Sequence, residues 1–77
     1  MSEEIIQKLK EMLKSFGKTN IDLSSDLTKD RILDSIETID FLIMVEKEFN
    51  VKITEDEYNQ KLSKLSDLSV FIESNRK

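Results

Sequence analysis

Residues 33–49 read LDSIETIDFLIMVEKEF, and this stretch decides the fold of the chain. It contains neither glycine nor proline, and its apolar residues recur at helical rather than alternating spacing. Asp34 is well placed as an N-cap with Glu37 at the third helical position, which is a capping box with aspartate in the cap role. The stretch therefore predicts a helix that begins directly after Asp34.

Two stripes run along opposite sides of this predicted helix. The first is apolar and is predicted to face the core; its members are Phe41, Leu42, Val45 and Phe49. The second mixes isoleucines with charges; its members are Ile36, Asp40, Ile43 and Lys47. A buried face would not normally carry unpaired charges, so we expect the second stripe to face solvent.

A first helix is predicted ahead of a glycine stop. Ser2 is expected to cap it, and Glu3 and Glu4 lie favourably at its positive end. Gly17 is expected to end it, because glycine readily takes the left-handed conformation that closes many helices. The stripe of this helix that should face the core consists of Ile5, Ile6, Leu9, Met12, Leu13 and Phe16.

Residues 18–33 form a polar connection in which the helical periodicity breaks down. Ile21, Leu23 and Leu27 recur there as isolated apolar residues. An unstructured loop of this length is uncommon in a small domain, so we expect these three side chains to pack against the helices, around one short turn.

A short third helix is predicted after this long second one. Thr54 followed by Glu57 offers a capping box for its first turn. Tyr58 and Leu62 would then be its inward residues.

The last helix is expected to begin at Ser66 as its cap and to fray into a polar tail over residues 73–77. Its core residues are predicted to be Leu65, Leu68, Phe71 and Ile72. The sequence thus predicts an all-α fold over residues 1–77. It is a single domain in the form of a four-helix bundle, with three main helices and one short helix.

The 77 residues include no cysteine and no histidine. A disulfide framework, a thiolate metal site and an imidazole general base are therefore excluded. No segment has the spacing and the glycine of a calcium-binding loop, so no metal site is predicted. This composition argues against an enzyme.

The net charge of −4 is unevenly spread. Residues 34–58 carry eight acids against two lysines, a local charge of −6. This half should repel nucleic acid and anionic membrane and attract basic partner surfaces. No window approaches ~18 consecutive apolar residues, and the N-terminal residues lack a secretory pattern, so we expect a cytoplasmic protein.

The chain resembles the acyl carrier protein family over nearly its whole length. The resemblance lies in Asp34-Ser35-Ile36, the acid-rich helix that ends in EKEF, the capped short helix near Thr54 and the amphipathic last helix. In that family the serine after the aspartate carries a 4'-phosphopantetheine arm, and Ser35 is the matching residue. The resemblance implies a carrier that holds acyl intermediates as thioesters and presents them to enzymes of fatty acid or related acyl metabolism. It also implies an interior that parts to sheath the acyl chain.

The same resemblance implies two kinds of partner. One is a phosphopantetheinyl transferase, and the others are acyl-loading and acyl-processing enzymes with basic docking surfaces. In the family the second helix is the main recognition surface. The matching residues here are Asp34, Ile36, Glu37, Asp40, Ile43 and Glu46. We expect the protein to be a monomer.

Other interpretations of these residues stay open. Asp34-Ser35 alone also fits an ordinary helix N-terminus, and Ile36 and Ile43 fit an ordinary solvated face. The rival class is a small acidic helical adaptor that acts only by protein–protein contact. D-alanyl and peptidyl carriers share the serine and the four-helix plan, and the acidic second helix favours an acyl over a peptidyl carrier.

Two features depart from the family pattern. Lys47 interrupts a helix that is often more uniformly acidic. The family commonly has a glycine shortly before the Asp-Ser pair, whereas this chain reads DRIL over residues 30–33. Without glycine, a positive φ is not expected there. The Leu-Asp-Ser form resembles discrete carriers used outside bulk fatty acid synthesis, so the pathway is left open.

Overall fold

The first helix, α1, spans Glu3–Ser15 in the computed structural model, which describes residues 3–76 of the chain. Gly17 follows with a φ of 79°. The N–H of Lys18 donates to the Leu13 carbonyl at 3.0 Å, and the N–H of Gly17 donates to the Lys14 carbonyl at 2.9 Å. This pair of bonds is a Schellman motif, so the predicted glycine stop is confirmed. The predicted cap at Ser2 lies outside the described residues.

The second helix, α2, spans Ser35–Phe49, with Asp34 as its N-cap and Asn50 as a left-handed C-cap. Both halves of the capping box are present. The N–H of Glu37 donates to Asp34 Oδ1 at 2.8 Å, and the N–H of Asp34 donates to Glu37 Oε1 at 3.1 Å. The predicted start of this helix and its cap are confirmed.

The third helix, α3, spans only Glu55–Glu57 and continues directly into a π-helical turn over Tyr58–Leu62. Thr54 is its N-cap, and its hydroxyl accepts the N–H of Glu57 at 3.1 Å. Tyr58 and Leu62 are both buried, as predicted. The wider π turn was not predicted, because no local sequence signal distinguishes it from an α turn.

The fourth helix, α4, spans Leu65–Asn75, so the prediction that Ser66 caps it is wrong. Lys64 is the N-cap, without a side-chain hydrogen bond, and Ser66 lies inside the first turn. The cause is tertiary, since the N–H of Ser66 donates to the carbonyl of Leu23 at 3.0 Å in the connection between α1 and α2. Burial of Leu65 starts the helix one residue before the expected cap.

The predicted fraying of residues 73–77 is also wrong as far as residue 75, because α4 continues to Asn75. The Asn75 side-chain amide donates to the Phe71 carbonyl at 2.8 Å. Arg76 then lies 3.6 Å from the carboxylate of Glu4 at the start of α1. One hydrogen bond within α4 and one exposed ion pair with α1 thus lie at an end where the polar sequence predicted fraying. Lys77 is outside the described residues.

One apolar core joins all four helical segments. Its fully buried side chains are Ile5, Leu9, Leu13, Leu27, Phe41, Val45, Tyr58, Leu65, Leu68 and Ile72. The predicted stripes of α1 and α2 are confirmed as core, whereas Phe16 and Phe71 are only half-buried at its edge. α1 packs against both α2 and α4, and Ser35 and Ile36 at the N-terminal end of α2 are exposed at the surface.

The connection over residues 18–33 is attached to the helices at several points. Leu27 is fully buried, and Ile21 and Leu23 pack half-buried against the core, as predicted. The N–H of Leu27 donates to the Ser63 carbonyl at 2.7 Å, and Asp26 forms an isolated antiparallel bridge with Lys64. The connection therefore positions the start of α2 against the start of α4.

Arg31 has a φ of 55°, although the chain has no glycine here and a positive φ was therefore not expected. The chain turns tightly just before α2. The N–H groups of Ile32 and Leu33 both donate to the Leu27 carbonyl at 3.1 Å. Because Leu27 and Leu33 are both buried, the turn must reverse between them, and Arg31 takes the left-handed conformation.

Replacing Arg31 by glycine should raise the free energy of unfolding, by up to about 1 kcal/mol, because glycine adopts this φ without steric cost. Arg31→Val should lower it by about 1 kcal/mol or more, since β-branched residues are rare outliers at positive φ. Urea denaturation of the three proteins measures the order. A valine variant as stable as the glycine variant would contradict the strain at this residue.

Asp26 is a buried acid that sequence reasoning passed over. Its Oδ1 accepts the N–H groups of Thr28 at 3.0 Å and Lys29 at 2.8 Å. Burial works to raise the pKa of this carboxyl, but the backbone donors, together with the Ser63 hydroxyl and the charge of Lys29, hold the pKa below its ordinary value. The ionised carboxylate therefore stabilises the turn that leads to α2.

A lowered pKa in the folded protein makes stability depend on acid. The contribution of Asp26 is present above the pKa of the unfolded chain and is lost as the pH falls through the lower folded value. Asp26→Asn should lower the free energy of unfolding at pH 7 by about 1 kcal/mol. It should also flatten the loss of stability below about pH 4. Urea denaturation from pH 7 to pH 3 measures both effects. Asp22→Asn, an exposed acid of the same connection, is the control and should leave the profile unchanged.

Candidate functional site

Ser35 is the first residue of α2 and is exposed to solvent. Asp34 directly before it is extended, with φ −81° and ψ −178°, so the chain enters the helix at a sharp angle. The capping box between Asp34 and Glu37 fixes this entry on both sides of Ser35. The serine hydroxyl is thus held at the surface by a rigid turn.

The backbone around Ser35 suits a phosphate group. Within residues 3–76, the N–H groups of Ser35 and Ile36 donate to no other residue, because they lie in the first helical turn. The helix dipole adds partial positive charge at this end. A phosphodiester on the serine oxygen would meet these donors, so the residues present fit a phosphate-linked prosthetic group.

Lys18 brings one positive charge close to this helix end. Its Nζ lies 3.8 Å from Glu37 Oε1, the same oxygen that accepts the N–H of Asp34. Both side chains are partly exposed, so the pair contributes little stability. The pair links the beginning of the connection, directly after Gly17, to the first turn of α2.

A cleft of about 300 Å³ opens beside Ser35. Its lining residues come from the connection, α2, α3 and the π turn: Thr28, Leu33, Asp34, Ser35, Thr38, Glu55 and Asn59. On one side the Thr28 hydroxyl donates to Asn59 Oδ1 at 3.3 Å, which links the connection to the π turn. A group attached to Ser35 would have this cleft as an adjoining concave surface.

The second stripe of α2 faces solvent, as predicted. Ile36 is 71% exposed and Ile43 is 45% exposed, with Asp40 exposed between them. Ile39, which sequence reasoning assigned to neither stripe, is 48% exposed and belongs to the same face. The spacing i, i+3, i+7 of the three isoleucines was the signal that would have found it.

The other predicted recognition residues also have structural contacts. Glu46 is half-buried, and its Oε2 accepts the N–H of Ile53 at 2.9 Å, which fastens the segment after α2. Asp34 and Glu37 make the capping box. Asp40 is the one predicted acid of the set for which no cap or backbone contact is seen within residues 3–76.

The described part of the chain contains no group of three or more acidic side chains placed to hold a metal ion. No helix within residues 3–76 is long and apolar enough to span a membrane.

The fold and this site define a small helical domain with an exposed serine on a rigid helix end. The comparison with protein families assigns this domain to a family. A family model described as a phosphopantetheine attachment site matches residues 3–72. The chain belongs to this family.

Three relatives support the same assignment. The acyl carrier protein of Phytoplasma mali (strain AT) is 35% identical over 72 residues, covering 90% of this chain and 84% of the relative. The acyl carrier protein of Coprothermobacter proteolyticus is 36% identical over 76 residues, covering 95% of this chain and 92% of the relative. Acyl carrier protein 3, mitochondrial, of Arabidopsis thaliana is 31% identical over 73 residues, covering 91% of this chain and 55% of the relative. No solved structure matches the chain significantly.

The function of the chain is therefore that of an acyl carrier protein with a phosphopantetheine prosthetic group, and it is not an enzyme. Its family interacts with a phosphopantetheinyl transferase and with acyl-processing enzymes.

Proposed function

We propose that Ser35 is the residue to which the phosphopantetheine arm is attached. The observation that carries the proposal is the placement of an exposed hydroxyl next to two backbone N–H groups without protein partners within the described residues. The family match includes residue 35, and Ser35 lies in the sequence Asp34-Ser35-Ile36, which resembles that of acyl carrier proteins.

The arm would supply the thiol that a chain without cysteine lacks, and acyl groups would be held on it as thioesters. The residues of the chain itself present the attachment point. The capping box holds the turn, and the unpaired N–H groups and the helix dipole favour the negative charge of the phosphodiester.

Mass spectrometry tests the attachment site directly. The purified chain is incubated with coenzyme A and a phosphopantetheinyl transferase, its intact mass is measured, and peptide fragmentation locates the added group. We expect one arm per chain, on the peptide that contains Ser35. An unmodified chain, or an arm on another serine, would refute the proposal.

We also propose that partner enzymes dock on the exposed face of α2. Ile36, Ile39 and Ile43 offer apolar area, and Asp40 offers a negative charge on the same face. Basic partner surfaces would approach this side quickly and in a salt-dependent manner. Asp34, Glu37 and Glu46 would add negative charge around the contact while holding the local backbone.

The pathway, the location and the oligomeric state remain predictions. We propose a cytoplasmic monomer that serves fatty acid synthesis or a related acyl pathway. Light scattering tests the monomer, cell fractionation tests the location, and the mass of the acyl groups captured from cells tests the pathway.

A further inference from the structure

The surroundings of Ser35 contain a conflict of charge. The carboxylates of Asp34 and Glu37 form the capping box on either side of the serine, and Glu55 lines the adjoining cleft. Coenzyme A, the donor of the arm, brings a diphosphate with two negative charges to the serine, and the attached phosphodiester keeps one of them. The acids that hold this helix end would therefore repel the group that it receives.

The helix itself offsets only part of this repulsion. The free N–H groups of the first turn and the helix dipole favour an anion at Ser35. The dipole is equivalent to about +0.5 elementary charge, which is less than the negative charge of the two capping-box carboxylates. A full positive charge beside the helix end would offset more of the repulsion.

Lys18 supplies such a charge. Its Nζ lies 3.8 Å from Glu37 Oε1, and the N–H of Asp34 donates to the same oxygen at 3.1 Å. Two distances that meet at one atom place the ammonium within about 7 Å of the Asp34 nitrogen. This separation is shorter than the Debye length of about 8 Å at physiological ionic strength, so salt does not fully screen the charge at this helix end.

The backbone of Lys18 is fixed by the end of α1. The N–H of Lys18 donates to the Leu13 carbonyl at 3.0 Å, directly after the left-handed Gly17. The side chain of Lys18 is 33% exposed and its ammonium is paired. By contrast, Lys10 and Lys14 of α1 are exposed and make no ion pair within residues 3–76. Lys18 is thus held in one place, whereas its neighbours on α1 are not.

We propose that Lys18 assists attachment of the phosphopantetheine arm, because its ammonium offsets the repulsion between the capping-box carboxylates and the phosphate at Ser35. This inference rests on the proposed attachment at Ser35, and it adds a residue outside α2 to that reaction. Glu37 positions the ammonium. The same glutamate therefore caps the helix and holds the charge that makes the cap compatible with a phosphodiester.

The step that Lys18 favours is a displacement at phosphorus. The Ser35 oxygen forms a bond to the phosphorus that bears the pantetheine arm, and the P–O bond that joins this phosphorus to the rest of coenzyme A breaks. The electron pair of that bond leaves with adenosine 3',5'-bisphosphate, and the serine proton is released to solvent. Negative charge lies at Ser35 during the transfer and in the product, so the lysine should favour both.

Initial rates of arm attachment at low salt test the effect of the charge. Lys18→Gln should lower the kcat of the transferase by about 3-fold to 5-fold without raising KM, an effect of the size of a surface ion pair. Lys18→Arg keeps the charge and should keep the rate. Lys10→Gln is the matched control, because it removes the same charge about two helical turns earlier and should react at the natural rate. Added salt should reduce the loss.

Thermal unfolding separates this role from a merely structural one. Each protein is measured without the arm and with it, and the difference between the two melting temperatures is compared among the variants. In Lys18→Gln the form with the arm should lose about 2–4 °C more than the form without it. A structural ion pair would lower both forms equally. Lys18→Arg and Lys10→Gln should leave the difference unchanged.

The remaining outcomes contradict the proposal in distinguishable ways. Natural rates and an unchanged melting difference in Lys18→Gln would overturn the role of Lys18 and leave attachment at Ser35 intact. A slower reaction with an unchanged melting difference would make Lys18 a contact of the transferase, and an equal loss in Lys10→Gln would make net charge the cause; both would overturn the proposal. A chain that accepts no arm would overturn the Ser35 proposal together with this one.

Discussion

Replacing Ser35 by alanine is expected to abolish attachment of the phosphopantetheine arm completely and to leave the fold intact. The serine oxygen would be the acceptor of the transferred group, and alanine has no atom to replace it. The helix cap is supplied by Asp34 and Glu37 rather than by Ser35, so the free energy of unfolding should change by less than about 0.5 kcal/mol. Intact mass measures the first effect and urea denaturation the second.

Ser24→Ala is the matched control for this experiment. Ser24 is an exposed serine in the connection before α2 and is not part of a helix cap. Its alanine variant should accept one arm at the natural rate. Residual modification of the Ser35→Ala protein would show that another hydroxyl is the acceptor, and the carrier function would then use a different site.

Replacing Ile36 by serine is expected to lower the kcat/KM of the transferase toward this carrier by about 10-fold to 100-fold, without an effect on stability. Burying an isoleucine side chain at an interface contributes about 1.5–3 kcal/mol. Ile36 is 71% exposed in the free protein, so the fold depends little on its apolar area. Initial rates of arm attachment at low carrier concentration measure the change.

Val70→Ser provides the control, because Val70 is a 50% exposed β-branched residue on α4, away from the proposed docking face. Its rate should equal that of the natural chain. Asp40→Asn should lower the rate chiefly at low salt, since a lost surface charge acts on association. Equal losses in the Ile36 and Val70 variants would contradict docking on α2.

The start of α2 was predictable because its signals are local. Asp34 and Glu37 cap the helix through bonds between residues three apart, and the apolar spacing separates a buried from an exposed side. Reliance on such local signals also explains why the cap predicted at Ser66 is wrong. A serine before an apolar run is typical of a helix cap. Here the backbone carbonyl of Leu23, distant in sequence, accepts the N–H of Ser66 instead.

Long-range packing accounts for the other differences. The positive φ of Arg31 follows from the burial of Leu27 and Leu33 on either side of it. The cleft beside Ser35 exists because the connection and the π turn meet there through Thr28 and Asn59. Residues separated by about thirty positions meet in this way only after the chain has folded, so no local sequence pattern predicts the contact.

The sequence by itself determined the helical class, the cap of α2, the exposed face of that helix and the serine on which the carrier assignment depends. Each of these features depends on residues only a few positions apart, over which helix periodicity and capping hydrogen bonds act. The tertiary structure alone decided the left-handed Arg31, the buried carboxylate of Asp26 and the buried hydroxyl of Tyr58. The conformation of Arg31 follows from the burial of the side chains on either side of it, and the other two follow from distant side chains that exclude water. Both conditions are met only when the core closes.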